Sequence, residues 1–500
     1  MVILQRIRQN RNASVNLVFR SMTRQLATLI FIFSGFAPFF LTAQETWTLQ
    51  RCVNHALENN LTVVQAKANV KTSLLARQQA KTARLPNVSA NIDAGEQFGR
   101  TIDPTTNQFI TTGIGFNSMS LNAGVSLFNG GSIHHSVKQT EWTLKAAEAD
   151  AQHTSNTLAL QVAQAYLTIL LNEERLENAK RRVQQSQNQL TNTLKLIEAG
   201  SLPPAEKFTV QARIAADEQS GVMAQNDVEL AYLNLKQLLQ LEPDASLQIE
   251  RPAVVIPPDA MPETLSMPDV YEVALTNQPN VRAAGFRIKS AQEGIALAKA
   301  AYYPSISLFA NLRSNYSSQF LDYDNPTVTG TRLSSPQTVR LNNQDFTIQT
   351  YQPIVQFSKL QYFTQLERNF GQGVGVSMSV PIYQNGRVRL SVERARLNVL
   401  NAELQNTQTH QQLKNDIQTA IANARSAKLQ LEAAEKTLAA NQIAYQNIEK
   451  RQSLGAANTL EINTARTNQE NSENDVTQAR YNYLFRLKIL DFYQGKQLSL

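Results

Sequence analysis

The chain has 500 residues, of which 42% are hydrophobic and 17% charged, and its formal net charge is +7. Residues 1–43 contain five arginines and no acidic residue, which leaves a net charge of only +2 for the rest of the chain. The basic balance therefore gives no indication of a nucleic-acid partner, and the polar composition argues against a bundle of membrane-spanning helices. With five histidines and one cysteine, the sequence offers little material for catalytic or metal sites.

The N-terminal segment has the pattern of a secretory signal peptide. A basic start precedes the mostly apolar run 26–41, which is too short to span a bilayer and ends in Leu41-Thr42-Ala43. This pattern predicts a signal peptide over residues 1–43, with Met22 as an alternative start and a mature chain beginning near Gln44. The single cysteine, Cys52, lacks the small preceding residues that lipidation requires, so we expect a non-lipidated chain with an ordinary helix cysteine.

The mature chain begins with a helical pattern over residues 44–85, and after Pro86 the period changes from helical to two. Apolar and polar residues alternate from Val88 to Ala94 and again from Ser118 to Leu127, which predicts a β-hairpin over residues 86–128. Each strand has about the nine to eleven residues that a tilted strand needs to cross a bilayer. One apolar and one polar face suit a wall between lipid and water. A soluble antiparallel sandwich, which alternates in the same way, is the alternative interpretation.

A very long helical hairpin is predicted over residues 129–241. Residues 132–199 contain no Gly or Pro, so nothing in that run forces a helix to stop. Its apolar stripe has heptad spacing (Leu176, Val183, Leu190, Ile197) and predicts packing against partner helices. Gly200 and the following prolines predict a turn into a returning helix that ends near Leu241. The proline-rich segment 242–268 is predicted to be an extended linker.

The remaining chain repeats this order, which indicates an internal duplication. Residues 269–303 match the first helical segment at a constant offset of 218, residues 304–384 form the second predicted β-hairpin, and residues 385–495 form the second helical hairpin, with its turn at Gly455. Only a tail over residues 496–500 remains. The second β-hairpin is longer by 38 residues, and its extra polar chain is expected to be a loop on the extracellular side of an outer-membrane barrel. Identities at the 218-residue offset include Ala56/Ala274, Leu57/Leu275, Asn59/Asn277, Val63/Val281, Lys81/Lys299 and Pro86/Pro304.

Four strands cannot close a barrel, and an open sheet edge in lipid would leave backbone groups without hydrogen bonds. The sequence therefore predicts that several copies of the chain share one barrel.

The duplicated openings (Ala56-Leu57-Glu58-Asn59-Asn60 and Ala274-Leu275-Thr276-Asn277-Gln278-Pro279), the strand starts at Leu85-Pro86 and Tyr303-Pro304, and the Asn-Gly strand exits occur in a characteristic order. In this order and spacing, the chain after Gln44 resembles the TolC-type outer-membrane efflux protein family (outer membrane factors). The resemblance implies a mainly α fold with a membrane β-barrel. It implies a homotrimer that contributes four strands per chain to a shared 12-stranded barrel, and helical hairpins that form a tunnel across the periplasm.

The resemblance also implies a function, without catalytic, cofactor-binding or metal residues. It predicts an exit duct of a tripartite efflux pump or a type I secretion system in the outer membrane, with a periplasmic adaptor and an inner-membrane pump as partners. A periplasmic coiled-coil adaptor, or a structural protein without a channel, is the alternative. Glu461 matches the family position of an entrance carboxylate, and a second acid of the family is replaced by Thr464. The hairpin tips that would dock an adaptor contain Gly200, Leu202, Glu206, Gly455 and Leu460.

One further feature of the family is altered at the tips. In family members the first-tip acid, here Glu206, pairs with a base two residues after the second Gly, where this chain has Ala457. The lock is therefore expected to be absent or rebuilt, with Lys207 as a candidate. Two other motifs are not expected to form sites. Adjacent His134 and His135 point apart on a helix, and the Gly371–Gly375 run precedes a strand rather than a phosphate-binding helix.

Overall fold

The computed structural model of the protein describes residues 46–102, 107–111, 113–252, 262, 264–454 and 456–496. The predicted signal peptide over residues 1–43, Gly455, most of the tail and part of the proline-rich segment lie outside the described residues. The described residues form two compact units, of which the smaller joins residues 46–48 to 245–251. In that unit the Trp47 amide donates a hydrogen bond to the Gln248 carbonyl (2.8 Å) in a parallel bridge. All elements below belong to the larger unit.

Two helices open the larger unit where the sequence pattern predicted one. Helices α1 (Leu49–Asn59) and α2 (Leu61–Thr82) are separated by Asn60, whose backbone is extended. The Asn60 side chain accepts a hydrogen bond from the Thr62 amide (3.0 Å) and donates one to the Leu238 carbonyl (2.9 Å). An asparagine N-cap satisfies an amide that the helix start leaves free. The break is therefore set by a local side-chain bond, which apolar periodicity does not report.

The first β-hairpin leads directly into the first helical hairpin. Strand β1 (Asn87–Gln97) pairs with β4 (Ile114–Asn129), and between them lie the short strands β2 (Thr101–Ile102) and β3 (Phe109–Ile110). Helix α3 (Ser132–Glu198) then runs for 67 residues and α4 (Glu206–Leu239) returns for 34. Glycine is required at Gly130, because φ is +65° there and a Cβ would lie 2.3 Å from the Ala300 carbonyl oxygen.

The predicted heptad stripe of α3 is one half of a packed seam. Leu176, Val183, Leu190 and Ile197 are half-buried. Three residues after the first three of them come Ala179, Ser186 and Thr193, which are buried. Alternation of large and small residues at these heptad positions lets the returning helix α4 approach closely. The predicted helical hairpin is confirmed, and small residues contribute to its contact.

The second repeat reproduces the element bounds of the first. Helices α5 (Met267–Asn277) and α6 (Pro279–Ala300) are α1 and α2 shifted by 218 residues, and they break at Gln278, just before Pro279. Strand β5 (Ser305–Ser317) and, after the insertion, β10 (Gly371–Ser379) form the second β-hairpin. Helix α8 (Arg387–Ser453) has 67 residues, as α3 does, and α9 (Thr459–Tyr493) returns. The predicted internal duplication is confirmed.

The insertion between β5 and β10 has secondary structure that the sequence pattern did not indicate. Strands β6 (Thr327–Leu333) and β9 (Tyr351–Gln356) pair with each other, and β7 (Gln337–Leu341) pairs with β8 (Gln344–Ile348). The short helix α7 (Tyr362–Arg368) follows. The expected polar loop therefore contains a β-ribbon, which the sequence pattern did not reveal because the polar residues of this ribbon mask its period.

The four long strands form one antiparallel sheet in the order β1-β4-β5-β10. Its register places apolar residues in rows on one face, such as Val88–Ala123–Ala310–Val374. Polar residues and glycine form rows on the other, such as Ser89–Asn122–Asn311–Gly373. β1 and β10 are the two edges, and neither has a further partner strand within the described chain. Gly373 and Gly375 face the side chains of Asn311 and Phe309, so they make room for neighbouring side chains.

An apolar core lies at mid-height of the long helices. Residues from α5, α6, α8 and α9 meet around Ile417 and Ala424, which are fully buried. In α3 the buried residues Val162 and Ile169 hold the corresponding places, 255 residues earlier. None of the helices that the structure describes is both long and apolar enough to cross a membrane.

Candidate functional site

The tip of the first helical hairpin is a tight glycine turn. Gly200 has φ +71°, and the Ser201 amide donates to the Leu196 carbonyl (2.9 Å), which closes the end of α3. Leu202 and Glu206 are half-buried, and the Glu206 amide donates to the Pro203 carbonyl (3.1 Å). Neither Glu206 nor Lys207 forms an ion pair with another described residue of the chain, so a lock between these two neighbours is not formed.

The second tip is organised by Asn458, whose side chain accepts a hydrogen bond from the Glu461 amide (2.8 Å) and caps α9. The Glu461 carboxylate lies 3.5 Å from the Arg451 guanidinium, which also donates to the Ala456 carbonyl (2.9 Å). Because α9 begins at Thr459 and Asn458 is its cap, Glu461 is the third residue of the helix. Thr464 is exposed and its hydroxyl donates to the Leu460 carbonyl (2.8 Å), one turn earlier.

Arg451 is a tip residue that sequence reasoning missed. The family resemblance implied a base two residues after Gly455, where this chain has Ala457. The base of this tip is Arg451, which lies four residues before Gly455, in the last turn of α8. Basic residues in a last helical turn interact favourably with the helix dipole, which is the signal that could have identified Lys450 and Arg451. The ion pair of Arg451 with Glu461 is half-exposed. Its contribution to stability is therefore small, about 0.2–1 kcal/mol.

The second tip presents an apolar surface beside its carboxylate. Leu454 and Leu460 are largely exposed, and a surface groove of about 400 Å³ runs between α8 and α9. Ile448, Leu460, Glu461 and Thr464 line this groove. An exposed leucine beside a groove is a surface that another apolar helix can cover. The structure thus brings Leu460, Glu461 and Thr464 together, while Gly200, Leu202 and Glu206 lie on the other hairpin.

Two candidates for other chemistry have structural roles. His135 Nδ1 lies 2.8 Å from the Glu293 carboxylate on α6, so this histidine links two helices. His134 is exposed. Cys52 is fully buried, and burial raises the pKa of its thiol to about 12. Within the described residues no group of three or more His, Cys, Asp or Glu side chains is arranged to hold a metal ion.

These features together define a class of protein: long helical hairpins with exposed tips, joined to an antiparallel sheet with one apolar and one polar face. A family model described as "Outer membrane efflux protein" matches the chain twice, over residues 52–240 and 270–496. The chain belongs to this family, the TolC family, and the two matches are its two repeats. It is an outer-membrane efflux channel and not an enzyme.

Comparison with known proteins agrees with this assignment. The chain is 21% identical to Toxin and drug export protein A of Aggregatibacter actinomycetemcomitans, over 87% of this chain and 83% of that protein. It is 24% identical to an uncharacterized protein of Haemophilus influenzae, over 57% of this chain and 60% of that protein. The match thus spans less than two thirds of the latter.

Two solved structures share the fold. CusC superimposes with a TM-score of 0.70 at 18% identity and covers 93% of this chain and 96% of its own. CmeC of Campylobacter jejuni superimposes with a TM-score of 0.71 at 16% identity, over 89% of this chain and 85% of its own. The predicted fold class is confirmed: a mainly helical, duplicated chain with a strand region.

Proposed function

We propose that three copies of this chain assemble into one conduit, which is the exit duct of a tripartite efflux pump or a type I secretion system. TolC-family channels are trimeric. In the proposed assembly the twelve strands of three copies close a single barrel in the outer membrane, and the long helical hairpins form a tunnel in the periplasm. Substrates would pass from an inner-membrane pump through this conduit to the outside.

The open sheet edges support the shared barrel. β1 is exposed along its whole length, and the apolar side chains Val374, Val376 and Met378 of β10 are largely exposed. A strand edge in lipid costs several kcal/mol for each unsatisfied backbone group. Pairing β10 of one copy with β1 of the next removes both edges, and the apolar rows then face lipid while the polar rows face water.

The single observation that carries the proposal is the unequal packing of two equivalent helices. α6 packs along both α3 and α8, whereas α2 packs along α3 and makes no comparable contact with α8 within the described chain. On α6, Phe286 stacks on Trp142 of α3 at 5.8 Å between ring centroids, and Glu293 pairs with His135. The corresponding residues of α2, at the 218-residue offset, are Ala68 and Leu75, and both are exposed.

A surface that could pack against α2 is exposed on α8. The residues of α8 that correspond to His135, Trp142 and Ala149 are Leu390, Leu397 and Leu404, at an offset of 255. These three leucines lie seven residues apart, and each is more than half exposed, at 60%, 60% and 53%. If α8 of one copy packs on α2 of the next as α3 packs on α6, the leucine stripe and the exposed residues Leu61, Val64 and Leu75 of α2 cover each other.

Orientation and maturation complete the proposal. Residues 1–43 act as a signal peptide that directs the chain out of the cytoplasm. The mature chain is non-lipidated, which is supported by the burial of Cys52 inside α1. The residue ranges expected from the sequence divide it into membrane hairpins at 86–128 and 304–384 and helical segments between them. The insertion in the second membrane hairpin lies outside the cell, and the hairpin tips lie in the periplasm.

The tips are proposed to dock a periplasmic adaptor. Leu202, Glu206 and Leu460, with the glycine turn at Gly200 and the turn expected from the sequence at Gly455, form the docking end. Three copies of Glu461 surround the entrance there, and Thr464 stands beside them. The names of the relatives, among them Toxin and drug export protein A, support export of toxins or drugs as the activity. The inner-membrane pump selects the cargo, because a water-filled duct discriminates little.

The proposal is tested by reconstituting the purified chain in a planar bilayer. A trimer by native mass measurement that gives stepwise ionic currents is the expected result. A protein that inserts but carries no current would be a structural component and not a duct. A protein that remains in the aqueous fraction as a monomer would contradict both the barrel and the trimer.

A further inference from the structure

A buried cluster of charges links the two helical hairpins of one chain. The Arg213 guanidinium on α4 lies 3.2 Å from the Asp217 carboxylate on the same helix and 2.5 Å from the Glu470 carboxylate on α9. It also donates to the Thr467 hydroxyl on α9 (3.1 Å). The Ser186 hydroxyl of α3 donates to Asp217. Ser186, Asp217 and Glu470 are each more than nine-tenths buried.

Further polar contacts join the two hairpins beside the cluster. Further along α3 and α9, Arg175 donates to the Gln478 side chain (2.7 Å), and Thr477 donates to Glu174 (3.4 Å). Polar contacts can separate and rehydrate at less cost than apolar ones, so water can replace these contacts between the hairpins.

We infer that Glu470 makes this contact responsive to pH: acidification holds the two hairpins of a chain together and alkalinisation loosens them. The geometry provides the reason, because a carboxyl group can be buried against Arg213 only while the hairpins are in contact. When they separate, the same carboxyl group enters water. The two arrangements therefore bind a proton at Glu470 with different affinity, and proton binding must bias the equilibrium between them.

The direction of the effect follows from the charges that face Glu470. Burial raises the pKa of Glu470, the Arg213 guanidinium lowers it, Asp217 raises it, and Arg182 and Arg466 lower it, with a net increase. These groups belong to α3, α4 and α9. Because the pKa is higher in the joined arrangement than in water, protonation favours the joined arrangement. This stabilisation is fully present below the ordinary pKa of a glutamate and is lost as the pH rises through the raised pKa of Glu470. Each pKa unit of difference changes the equilibrium about tenfold.

In the proposed trimer, helical hairpins meet at two kinds of seam, one within each chain and one between neighbouring chains. The charged cluster is present only at the seam within each chain. Residue 215 of α4 corresponds to residue 470 of α9 at the 255-residue offset, and it is Ala215. A seam between neighbouring copies therefore has no carboxyl group at the Glu470 position. Acid would act on the three seams inside the chains and leave the three seams between chains unaffected. The consequence for flow through the conduit rests on the proposed function, but the response of the hairpins does not.

The test measures distance and not transport. Spin labels are attached at Ser201→Cys and Ala457→Cys, one on each tip, in a Cys52→Ala background, and the distance distribution is recorded from pH 4 to pH 9 in detergent. The expected result is a shift to longer and broader distances as the pH rises. Glu470→Gln, which is neutral at every pH, should keep the short distance throughout. Asp475→Asn, an exposed carboxylate on the same helix, is the matched control and should behave like the parent.

A second variant protects the test against misfolding of the first. Arg213→Gln removes the cation, so Glu470 should hold its proton to higher pH and the distance transition should move upward by about one pH unit or more. Native mass measurement checks that each variant retains the parent's assembly state. A pH response that persists unchanged in Glu470→Gln, or a parent distance that does not depend on pH, would overturn the inference. Neither outcome depends on whether the protein conducts ions.

Discussion

Helices α2 and α6 are the same element in two repeats, yet among the described residues only α6 packs against both α3 and α8. Both have 22 residues and identical bounds at the 218-residue offset. Val63 and Val281, which correspond, are both buried. Gln65 is exposed, whereas the corresponding Ala283 is fully buried. The difference shows what is missing around the first repeat, and the exposed stripe on α8 has the spacing to supply it.

The largest effect is expected from placing a charge in the proposed contact between copies. Leu397→Glu would bury three unpaired carboxylates, one at each seam between copies, and an uncompensated buried charge costs about 3–5 kcal/mol. The trimer should dissociate in mild detergent, as read by native mass measurement. Leu397→Met preserves size and polarity and should remain trimeric. A stable Leu397→Glu trimer would mean that α2 and α8 do not meet in the assembly.

The next effect concerns the two faces of the sheet. Ile92 and Asn91 are neighbours on β1 and face opposite sides, with Ile92 70% exposed on the apolar face. Ile92→Arg should destabilise the assembled barrel by about 2–4 kcal/mol per chain, because a lipid-facing arginine near mid-membrane is unfavourable. Asn91→Arg should be tolerated. Urea midpoints of the folded protein in lipid vesicles measure both, and equal midpoints would favour a sheet with water on each side.

Two oppositely charged neighbours on the second tip allow a similar comparison for the entrance. Glu461 is the candidate ring residue, and Arg451 lies beside it within the same chain. Three carboxylates around a narrow mouth favour cations and can be blocked by multivalent ones. Glu461→Gln should reduce both cation preference and block by trivalent metal ions in bilayer recordings, whereas Arg451→Met should increase them. Unchanged selectivity in both variants would place the selective constriction elsewhere.

The two β-hairpins differ in their outer ends. Only the second carries the β6–β9 ribbon, whose tip at Asn342-Asn343 turns with positive φ. An epitope tag inserted there should be reached by antibody on intact cells, while a tag at Leu202 should be reached only after the outer membrane is permeabilised. The reverse labelling pattern would mean that the molecule has the opposite orientation in the membrane, and that the hairpin tips do not lie in the periplasm.

The smallest effect concerns helix capping at the tips. Asn458 caps α9 through its side chain, whereas Ala205 at the start of α4 makes no side-chain cap. Asn458→Ala should cost about 1 kcal/mol of local stability. Faster amide hydrogen exchange in the first turn of α9, with no change in the first turn of α4, is the expected measurement. Exchange that is unchanged at both tips would show that the tip is held by other contacts.

Periodicity and repetition made the main features of the fold predictable. Runs without Gly or Pro indicated α3 and α8, and alternation of apolar and polar residues indicated the strands. Each of these signals is a local pattern of neighbouring residues in the sequence. The break at Asn60 and the ion pair of Arg451 with Glu461 were not predicted, since each depends on one side chain meeting a partner. The His135–Glu293 pair likewise required knowing that α3 and α6 are neighbours.

Cross-linking measures directly whether the exposed stripes on α2 and α8 meet between neighbouring copies. Cysteines are introduced at Leu75 and Leu390 in a Cys52→Ala background, and a short bis-maleimide is added to the protein in outer-membrane vesicles. The control pair, His135→Cys with Glu293→Cys, holds the corresponding positions and should cross-link within a chain. We expect covalent trimers from the Leu75/Leu390 pair on a denaturing gel and only monomers from the control. A control that cross-links while the Leu75/Leu390 pair remains monomeric would contradict the proposed assembly.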